Sequence, residues 1–243
     1  MQEQIAALRA SAPANTVYRC GRDTGRQRHT WRMADADNIS AKRIKRRLGA
    51  AGIAVDAAQS EVLARFVEML LRWNKVYNLT GVRGVDEIVD RHLVESLALR
   101  PYLHGATVAD VGSGGGLPGL PLAIAEPGRH FTLIESRAKR VRFLRQAAIE
   151  LGLANTAVAH SRAEHLRVEQ PFATVLARAV APPAELLAIC RPLMAPGSIL
   201  LLLTAPHLHE EFRDLAADFV LRPLTAAGPA LKSSIVLLER INV

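Results

Sequence analysis

The chain has 243 residues, a formal net charge of +8 and only two cysteines, Cys20 and Cys190. Two cysteines are too few for a disulfide framework, and no apolar run approaches the roughly 20 residues that span a bilayer. Because the N-terminus also lacks the apolar segment of a secretory signal, we expect a cytoplasmic protein. The charge is uneven: residues 1–50 hold 11 Lys and Arg against 4 Asp and Glu, whereas residues 51–243 hold 20 against 19.

The first part of the chain shows no apolar periodicity. Residues 1–38 mix small and polar residues with a basic run from Arg19 to Arg32. Such a segment buries too little apolar surface to offset its ordering entropy, so we predict a disordered basic extension. Met33 directly precedes helix-forming sequence, and we hypothesise that translation begins there; a native peptide from upstream of Met33 would refute this.

Residues 39–104 predict a small helical unit. A short basic helix is expected from Ile39 to Ala50, and a longer one follows Asp56 and Gln59, which have the spacing of a capping box. A third helix is expected over residues 86–100, where Pro101 would end it.

From residue 105 onward, short apolar runs alternate with helical patterns. Strands are predicted at 107–111, 130–135, 156–160, 173–177, 197–204, 219–224 and 233–241, and helices near 118–125, 137–151, 182–191 and 206–218. This alternation predicts an α/β domain over residues 105–243, with a doubly wound, Rossmann-like parallel sheet. The last two strands lack an obvious helix between them, which favours an antiparallel pair at one edge.

A glycine-rich loop follows the first predicted strand. The dinucleotide pattern G-x-G-x-x-G fails from Gly112, because position 117 is Leu, and from Gly114 it places Pro118 where a diphosphate needs amide donors. The alternative, Asp110-x-Gly112-x-Gly114-x-Gly116, is typical of S-adenosylmethionine methyltransferases. Glu135 ends the next strand and suits paired ribose hydroxyls, which NAD and S-adenosylmethionine both carry. The loop therefore favours S-adenosylmethionine, and the acid alone does not discriminate.

Six blocks of residues carry a more specific resemblance. They are Trp73–Thr80, Arg91–Leu97, Asp110–Gly119, Lys139–Arg145, Ser161–Glu164 and Ala177–Ala179, in one order. The chain resembles the RsmG family (also called glucose-inhibited division protein B), the guanine-N7 methyltransferases of 16S ribosomal RNA. The resemblance covers about residues 39–243 and implies a seven-stranded class I methyltransferase sheet. It also implies S-adenosylmethionine as cofactor and the 530 loop of the small ribosomal subunit (family position 527) as target.

The resemblance also implies roles for particular residues. The cofactor would lie against Asp110, Gly112, Gly114 and Leu117 of the loop, with Glu135 on the ribose, Ala163 and Glu164 beside the adenine, and Arg178 reaching the site. Arg178 would position either the cofactor or the guanine. Two departures from the family pattern are Glu95 in place of Asp, and Thr204 in place of Lys at the end of the fifth strand.

The chemistry agrees with a ring nitrogen as the methyl acceptor. Guanine N7 is a bare lone pair with no proton to lose, so we expect no residue to act as a general base. Enzymes that methylate exocyclic amines typically place Asn or Asp before Pro-Pro-aromatic, and here Ala181–Ala184 has neither the polar nor the aromatic residue. Cys190 lies in an apolar helical run and is expected in the core rather than as a nucleophile.

Basic residues beside the crevice are candidates for RNA binding. Lys139, Arg140, Arg142 and Arg145 follow Glu135 closely, and Arg162 follows the third strand. A charge run is often only a solvated helix face, but next to a cofactor crevice it favours phosphate contacts. The basic helix from Lys42 to Arg47 is a second candidate.

No metal site is expected. His207, His209 and Glu210 are close in sequence but match no metal-binding motif, and they suit a solvated helix start. Two other functions stay open: a nucleotide-dependent Rossmann oxidoreductase, and a non-catalytic ribosome-binding factor that keeps the fold. Expected partners are 16S rRNA and the 30S subunit, with no membrane.

Overall fold

The computed structural model describes residues 39–178, 181–208, 210–212, 217–222, 224, 231 and 233–242. The predictions for residues 1–38, including the disordered extension and the start at Met33, lie outside these residues. Residues 35–243 form one compact unit. Within the described part of the chain, no helix is long and apolar enough to cross a membrane.

The N-terminal helices begin where side chains can cap them. Helix α1 spans Ala41–Ala50, and the Ser40 hydroxyl accepts from the Arg43 backbone N–H. Helix α2 spans Ala57–Tyr77, and both hydrogen bonds of the predicted capping box between Asp56 and Gln59 are present. Satisfying these otherwise unpaired backbone donors fixes each helix start, so the capping box is confirmed.

The third predicted helix is interrupted. Instead of one helix over 86–100, the chain forms α3 (Val85–Glu87), a π-helix (Ile88–Leu93), α4 (Val94–Leu97) and a 3₁₀ turn (Arg100–Tyr102). In and just after the π turn, His92, Glu95 and Ser96 are buried together with apolar residues, whereas Asp90 and Arg91 are exposed. A π turn inside a helix is frequent at functional sites.

Seven strands form one sheet. They are β1 (Thr107–Val111), β2 (His130–Glu135), β3 (Thr156–His160), β4 (Phe172–Arg178), β5 (Met194–Thr204), β6 (Phe219–Arg222) and β7 (Ser234–Arg240). Their order is β3-β2-β1-β4-β5-β7-β6, with β1 to β5 parallel and β7 antiparallel to both β5 and β6. The predicted seven-stranded Rossmann-like sheet and its antiparallel edge pair are confirmed.

Helices follow the first, second and fourth strands along the chain. They are α5 (Gly119–Ala125), α6 (Ala138–Glu150) and α7 (Pro183–Cys190). Of the helix predicted over 206–218, a 3₁₀ turn spans Pro206–Leu208 and residues 210–212 are helical, while residues 209 and 213–216 lie outside the described chain.

Alternate residues of the central strands face two apolar clusters. Val108 and Leu176 pack in the cluster that contains α1 and α2, whereas Ala109 and Val175 pack in the cluster that contains α7. Successive strand residues point to opposite faces, so Asp110 of β1 and Arg178 of β4 share the face of the N-terminal helices. The domain boundary at residue 104 stays a prediction, since both parts contribute to one cluster.

Candidate active site

The glycine loop adopts a backbone that residues with side chains disfavour. Gly112, Gly114 and Gly116 have φ values of 69°, 54° and 78°, in the left-handed region. A Cβ on Gly116 would lie 2.3 Å from Leu120 Cδ1. The Gly112 and Ser113 N–H groups both donate to the carbonyl oxygen of Ile134, which holds the loop against β2. The loop therefore presents backbone directly to the crevice at the carboxyl ends of β1 and β2.

Asp110 is buried beneath this loop. Its Oδ2 accepts from the Gly119 N–H at 3.1 Å, while its Oδ1 has no hydrogen-bond partner among the described residues. Burial raises the pKa of the Asp110 carboxyl to about 7. A Cβ on Gly119 would lie 2.6 Å from Asp110 Oδ2, so only glycine fits at this helix start. A buried acceptor without a partner is costly unless a ligand satisfies it.

Glu135 is held at the end of β2 by backbone donors. Its Oε2 accepts from Gly114 N at 3.0 Å and its Oε1 accepts from Arg137 N at 2.8 Å. Arg140 Nη1 lies 3.7 Å from Oε2. Each carboxylate oxygen can accept more than one hydrogen bond, so the fixed Glu135 keeps capacity for hydroxyl donors of a ligand.

Two cavities meet at Gly112. The first, which we name the acidic cavity, has a volume of about 170 Å³; its lining includes Glu135, Glu164 and Glu185 together with Arg162 and Ala163. The second, the cationic cavity, has a volume of about 280 Å³; its lining includes Arg91, Arg178, His92, Thr80, Gly114 and Leu117. Gly112 lines both cavities, so ligands in them would meet at this residue.

Arg178 is fixed in the cationic cavity by residues of the interrupted helix. Its Nη2 donates to Glu95 Oε2 at 2.8 Å, and its Nη1 lies 3.1 Å from His92 Nδ1. The other oxygen of Glu95, which is 1% exposed, accepts from Ser233 Oγ at 2.9 Å. A buried carboxylate with two donors is a rigid support for the guanidinium.

His92 in this network is neutral. Because the guanidinium has only donors, His92 Nδ1 must accept from it, which leaves the proton on Nε2, 2.7 Å from Thr80 Oγ1. Burial and the nearby charge of Arg178 lower the pKa of His92 to about 3. His92 and Glu95 are thus both buried polar residues, and each contacts Arg178.

The basic residues of the sequence fall into two groups. Lys139, Arg142 and Arg145 are exposed on α6 and have no acidic partner among the described residues. By contrast, Arg140 is half-buried beside Glu135. The helix rise places Arg145 roughly 10 Å farther along α6 than its first residue, away from the crevice.

The basic helix α1 uses part of its charge inside the fold. Arg43 pairs with Asp86 at 2.7 Å, and Arg47 pairs with both Asp86 and Asp90. These ion pairs fasten α1 to the start of the interrupted helix. Helix α1 is therefore a weaker candidate for RNA binding than the number of its cations indicated.

Most of the predicted cofactor residues converge on the two cavities, whereas Lys139, Arg142 and Arg145 line neither. Reasoning from the sequence missed Thr80, Arg91 and His92 as lining residues, and it assigned Glu95 no role. Arg91, His92 and Glu95 lie in a block that carried the family resemblance, which was the available signal. Among the described residues, no group of three His, Cys, Asp or Glu is placed to hold a metal, and His209 lies outside them.

Comparisons with known proteins identify the family. The family model described as "rRNA small subunit methyltransferase G" matches residues 59–227. The chain belongs to this family. The methyltransferase of that name from Halorhodospira halophila is 48% identical over 179 residues, covering 74% of this chain and 85% of its own. The one from Aromatoleum aromaticum is 39% identical over 210 residues, covering 83% and 100%.

The fold agrees with membership of the rRNA small subunit methyltransferase G family. Magnesium protoporphyrin IX methyltransferase from Synechocystis, solved with bound S-adenosylmethionine, superposes with a TM-score of 0.53 at 20% identity. The match covers 78% of this chain and 99% of that one. The chain is a methyltransferase with the class I S-adenosylmethionine-dependent fold.

Proposed function

We propose that this chain methylates N7 of a guanine in the 530 loop of 16S rRNA, with S-adenosylmethionine as methyl donor. The observation that carries the proposal is the junction of the acidic and cationic cavities at Gly112. One cavity has acceptors for hydroxyl and ammonium groups, and the other has cations for a nucleic acid. The glycine between them brings the two ligands into contact.

The residues of the acidic cavity and of the glycine loop, with Asp110 buried beneath that loop, fit S-adenosylmethionine. The unpartnered Oδ1 of Asp110 suits a cationic donor such as the ammonium group, and the backbone-held Glu135 suits the ribose hydroxyls. Ala163 and Glu164 line the part of the cavity that would receive the adenine. When bound, this cofactor supplies an electrophilic methyl group. Gly112, which lines both cavities, would hold it against the loop, and Gly114 and Leu117 would contact it from the adjoining cationic cavity.

The lining of the cationic cavity suits a nucleophile that loses no proton. Its described lining residues include no carboxylate, and both ring nitrogens of His92 are hydrogen-bonded. Cys190 is buried, and burial raises the pKa of its thiol to about 12, so it stays protonated and apolar in character. Guanine N7 presents a lone pair and no proton, so positioning alone is required of the protein.

Arg178 is the residue we place on the reacting partners. Its guanidinium is fixed by Glu95 and His92, so it can donate to the base or to the cofactor carboxylate without losing much side-chain entropy. N7-methylation leaves the guanine cationic. Arg91 and Arg178 then repel the product, which favours its release from the cationic cavity.

RNA is the macromolecular partner supported by family membership. We propose that five cations contact phosphates, with the exposed Lys139 and Arg142 contributing most. Arg140 and Arg162 lie beside the acidic cavity, and Lys139, Arg142 and Arg145 follow the exposed side of α6. The particle engaged would be the 30S subunit or its precursor, in the cytoplasm. Thr204 in place of the usual Lys removes one candidate RNA contact at the end of β5.

Deletion of the gene tests the proposal. We expect 7-methylguanosine to disappear from the 530 loop of 16S rRNA and to return with the wild-type chain but not with Gly112→Asp. An intact modification after deletion would overturn the methyltransferase reading, and restoration by Gly112→Asp would favour a non-catalytic ribosome-binding factor. Calorimetry distinguishes the methyltransferase from a nucleotide-dependent oxidoreductase. Tight binding of NADH without binding of S-adenosylmethionine would contradict the proposal.

A further inference from the structure

A third cavity adjoins the cationic cavity and belongs to none of the functions assigned above. It is larger than the other two, at about 500 Å³, and lies at the end of α2 and in the loop that follows. The residues that line it are Leu71, Asn74, Lys75, Asn78, Thr80, Gly81 and Arg83. Its volume falls in the range of sites for small organic ligands.

The lining favours an anion that also carries polar groups. Lys75 and Arg83 are exposed, and neither has an acidic partner among the described residues. Among the described residues that line the cavity, none is an acid that would oppose them. Asn78, which ends α2 with a φ of 49°, adds an exposed side-chain amide. Two free cations with an amide donor and acceptor suit a phosphate with a base or sugar attached.

The loop between the two cavities is rigid. Asn74 is buried; its Nδ2 donates to the carbonyl of Val82 at 3.2 Å, and its Oδ1 accepts from the N–H of Thr80 at 2.9 Å. Thr80 Oγ1 accepts from the N–H of Val82 and contacts His92. The loop is thereby tied both to α2 and to the residues that hold Arg178.

Gly81 leaves a passage between the cavities. Thr80 and Gly81 line both of them, so the cavities share this short wall. A Cβ built on Gly81 would have no atom within 4 Å, and its φ is not in the left-handed region. A nucleic acid strand can therefore cross the backbone at Gly81 from one cavity into the next.

We propose that the third cavity binds the nucleotide adjacent to the target guanine, with its phosphate on Lys75 and Arg83. This inference rests on the proposed function, because the guanine itself must occupy the cationic cavity. A strand is favoured over a free nucleotide because the two cavities are joined, so that consecutive nucleotides would fill both. The site would select a substrate whose strand is splayed open at the guanine.

The charge is tested with Lys75→Ala, Arg83→Ala and the double variant, against Arg65→Ala as control. Arg65 is an exposed, unpartnered cation among the described residues of α2, roughly 15 Å before Lys75. We expect the double variant to raise KM for 30S subunits about 10-fold or more and to reduce the salt slope of binding by about 1 to 2. The affinity of the double variant for S-adenosylmethionine, measured by calorimetry, should match wild type. Arg65→Ala should match wild type both in KM for 30S subunits and in S-adenosylmethionine affinity.

The passage is tested without changing charge by Gly81→Val, against Gly128→Val. A Cβ on Gly128, in the turn before β2, also meets nothing within 4 Å. We expect Gly81→Val to raise KM for 30S subunits with unchanged cofactor affinity and melting temperature, and Gly128→Val to behave as wild type.

A second experiment distinguishes a free nucleotide from a nucleic acid strand as the ligand of the third cavity. It compares inhibition of 30S methylation by guanosine monophosphate and by guanine dinucleotides. The dinucleotides should inhibit better in wild type and lose that advantage in Lys75→Ala/Arg83→Ala.

Failure of the inference and failure of the proposed function have different signatures. A wild-type chain that methylates neither 30S subunits nor their precursor particles contradicts the proposed function. Active wild type with normal KM values in both Lys75→Ala/Arg83→Ala and Gly81→Val overturns the third cavity as a nucleotide site. Equal inhibition of the wild-type chain by the mononucleotide and by the dinucleotides also overturns the inference, because it would show that only one nucleotide is bound.

Discussion

The acidic and cationic cavities lie side by side and differ in charge and in how their side chains are held. Glu135 at the acidic cavity is fixed by backbone N–H groups of the loop and of α6. Arg178 at the cationic cavity is fixed by side chains, Glu95 and His92, from a helix more than eighty residues earlier. One cavity is built locally, whereas the other depends on the N-terminal helices packing against the sheet.

The difference indicates a division of labour. A locally built cavity suits a cofactor that many proteins of this fold share, and a cavity completed by an added helical part suits a particular substrate. Changes at the acidic cavity should therefore affect cofactor affinity. Changes at the cationic cavity should affect turnover and RNA affinity while the cofactor still binds.

The largest effect is expected for Gly112→Asp, where the two cavities meet. A side chain at a φ of 69° is strained, and it would introduce a carboxylate at the residue that lines both cavities. We expect no measurable S-adenosylmethionine binding by calorimetry and no methylation. The matched control is Gly152→Asp, because Gly152 has the same φ of 69° and open space around its Cβ position. A Gly112→Asp variant that binds cofactor normally would contradict the shared boundary.

Arg178→Ala should lower kcat by at least about 100-fold while cofactor affinity changes only a few-fold. Removing Arg178 leaves the buried Glu95 without its cation, which destabilises the fold. The double variant Arg178→Ala/Glu95→Gln removes that unpaired charge and should recover the melting temperature without recovering activity. Recovery of activity together with stability would show that Arg178 acts on folding alone.

A smaller effect is expected on the open surface of α6. Lys139→Ala should weaken 30S binding several-fold and reduce the salt slope by about 1, because the lost contact is to a phosphate. Arg145→Ala, roughly 9 Å farther along the helix, is the control and should have less effect. Equal effects would mean that the RNA follows the whole helix rather than the crevice.

The smallest effect concerns the pH dependence of stability at Asp110. Its folded-state pKa of about 7 lies above the ordinary value of 3.8, so the folded protein holds more protons between these pH values. The stability from the protonated carboxyl is therefore present below pH 3.8 and lost as pH rises toward 7. Asp110→Asn mimics the protonated form. At pH 8 it should melt higher than wild type without cofactor, by roughly 2–4 °C per kcal/mol regained.

The same variant should bind S-adenosylmethionine less tightly, because the unpartnered Oδ1 would no longer carry charge. If Asp110→Asn melts at a lower temperature than wild type at pH 8, the charged form of Asp110 costs the folded chain little stability. Wild-type cofactor affinity in Asp110→Asn would remove Asp110 from the cofactor site.

Sequence patterns predicted the locally determined parts of the fold. The strands, the glycine loop and the capping box depend on nearby residues, and each appears within a few positions of its prediction. The π turn was not predictable, because the interrupted helix buries polar residues, His92, Glu95 and Ser96, beside apolar ones and so lacks a simple helical periodicity. Likewise, the periodicity of α1 could not show that Arg43 and Arg47 pair with Asp86 and Asp90, some 40 residues later.

The candidate site also has parts that were predictable from the sequence and parts that were not. Glu135 and Gly112 follow from the strand-loop spacing, whereas the partners of Arg178 are brought to it only by the tertiary fold. The neutral state of His92 likewise follows from Arg178 and Thr80 at its two ring nitrogens. Long-range contacts of this kind leave no local pattern in the sequence.

The most direct test of the central claim is methylation of purified 30S subunits from a deletion strain, followed by nucleoside mass spectrometry and mapping of the modified base. With S-adenosylmethionine and the wild-type chain, we predict one 7-methylguanosine per 16S rRNA, in the 530 loop. Methyl transfer to an exocyclic amine or to a pyrimidine carbon, or no transfer either to the subunit or to its precursor particle, would contradict the account.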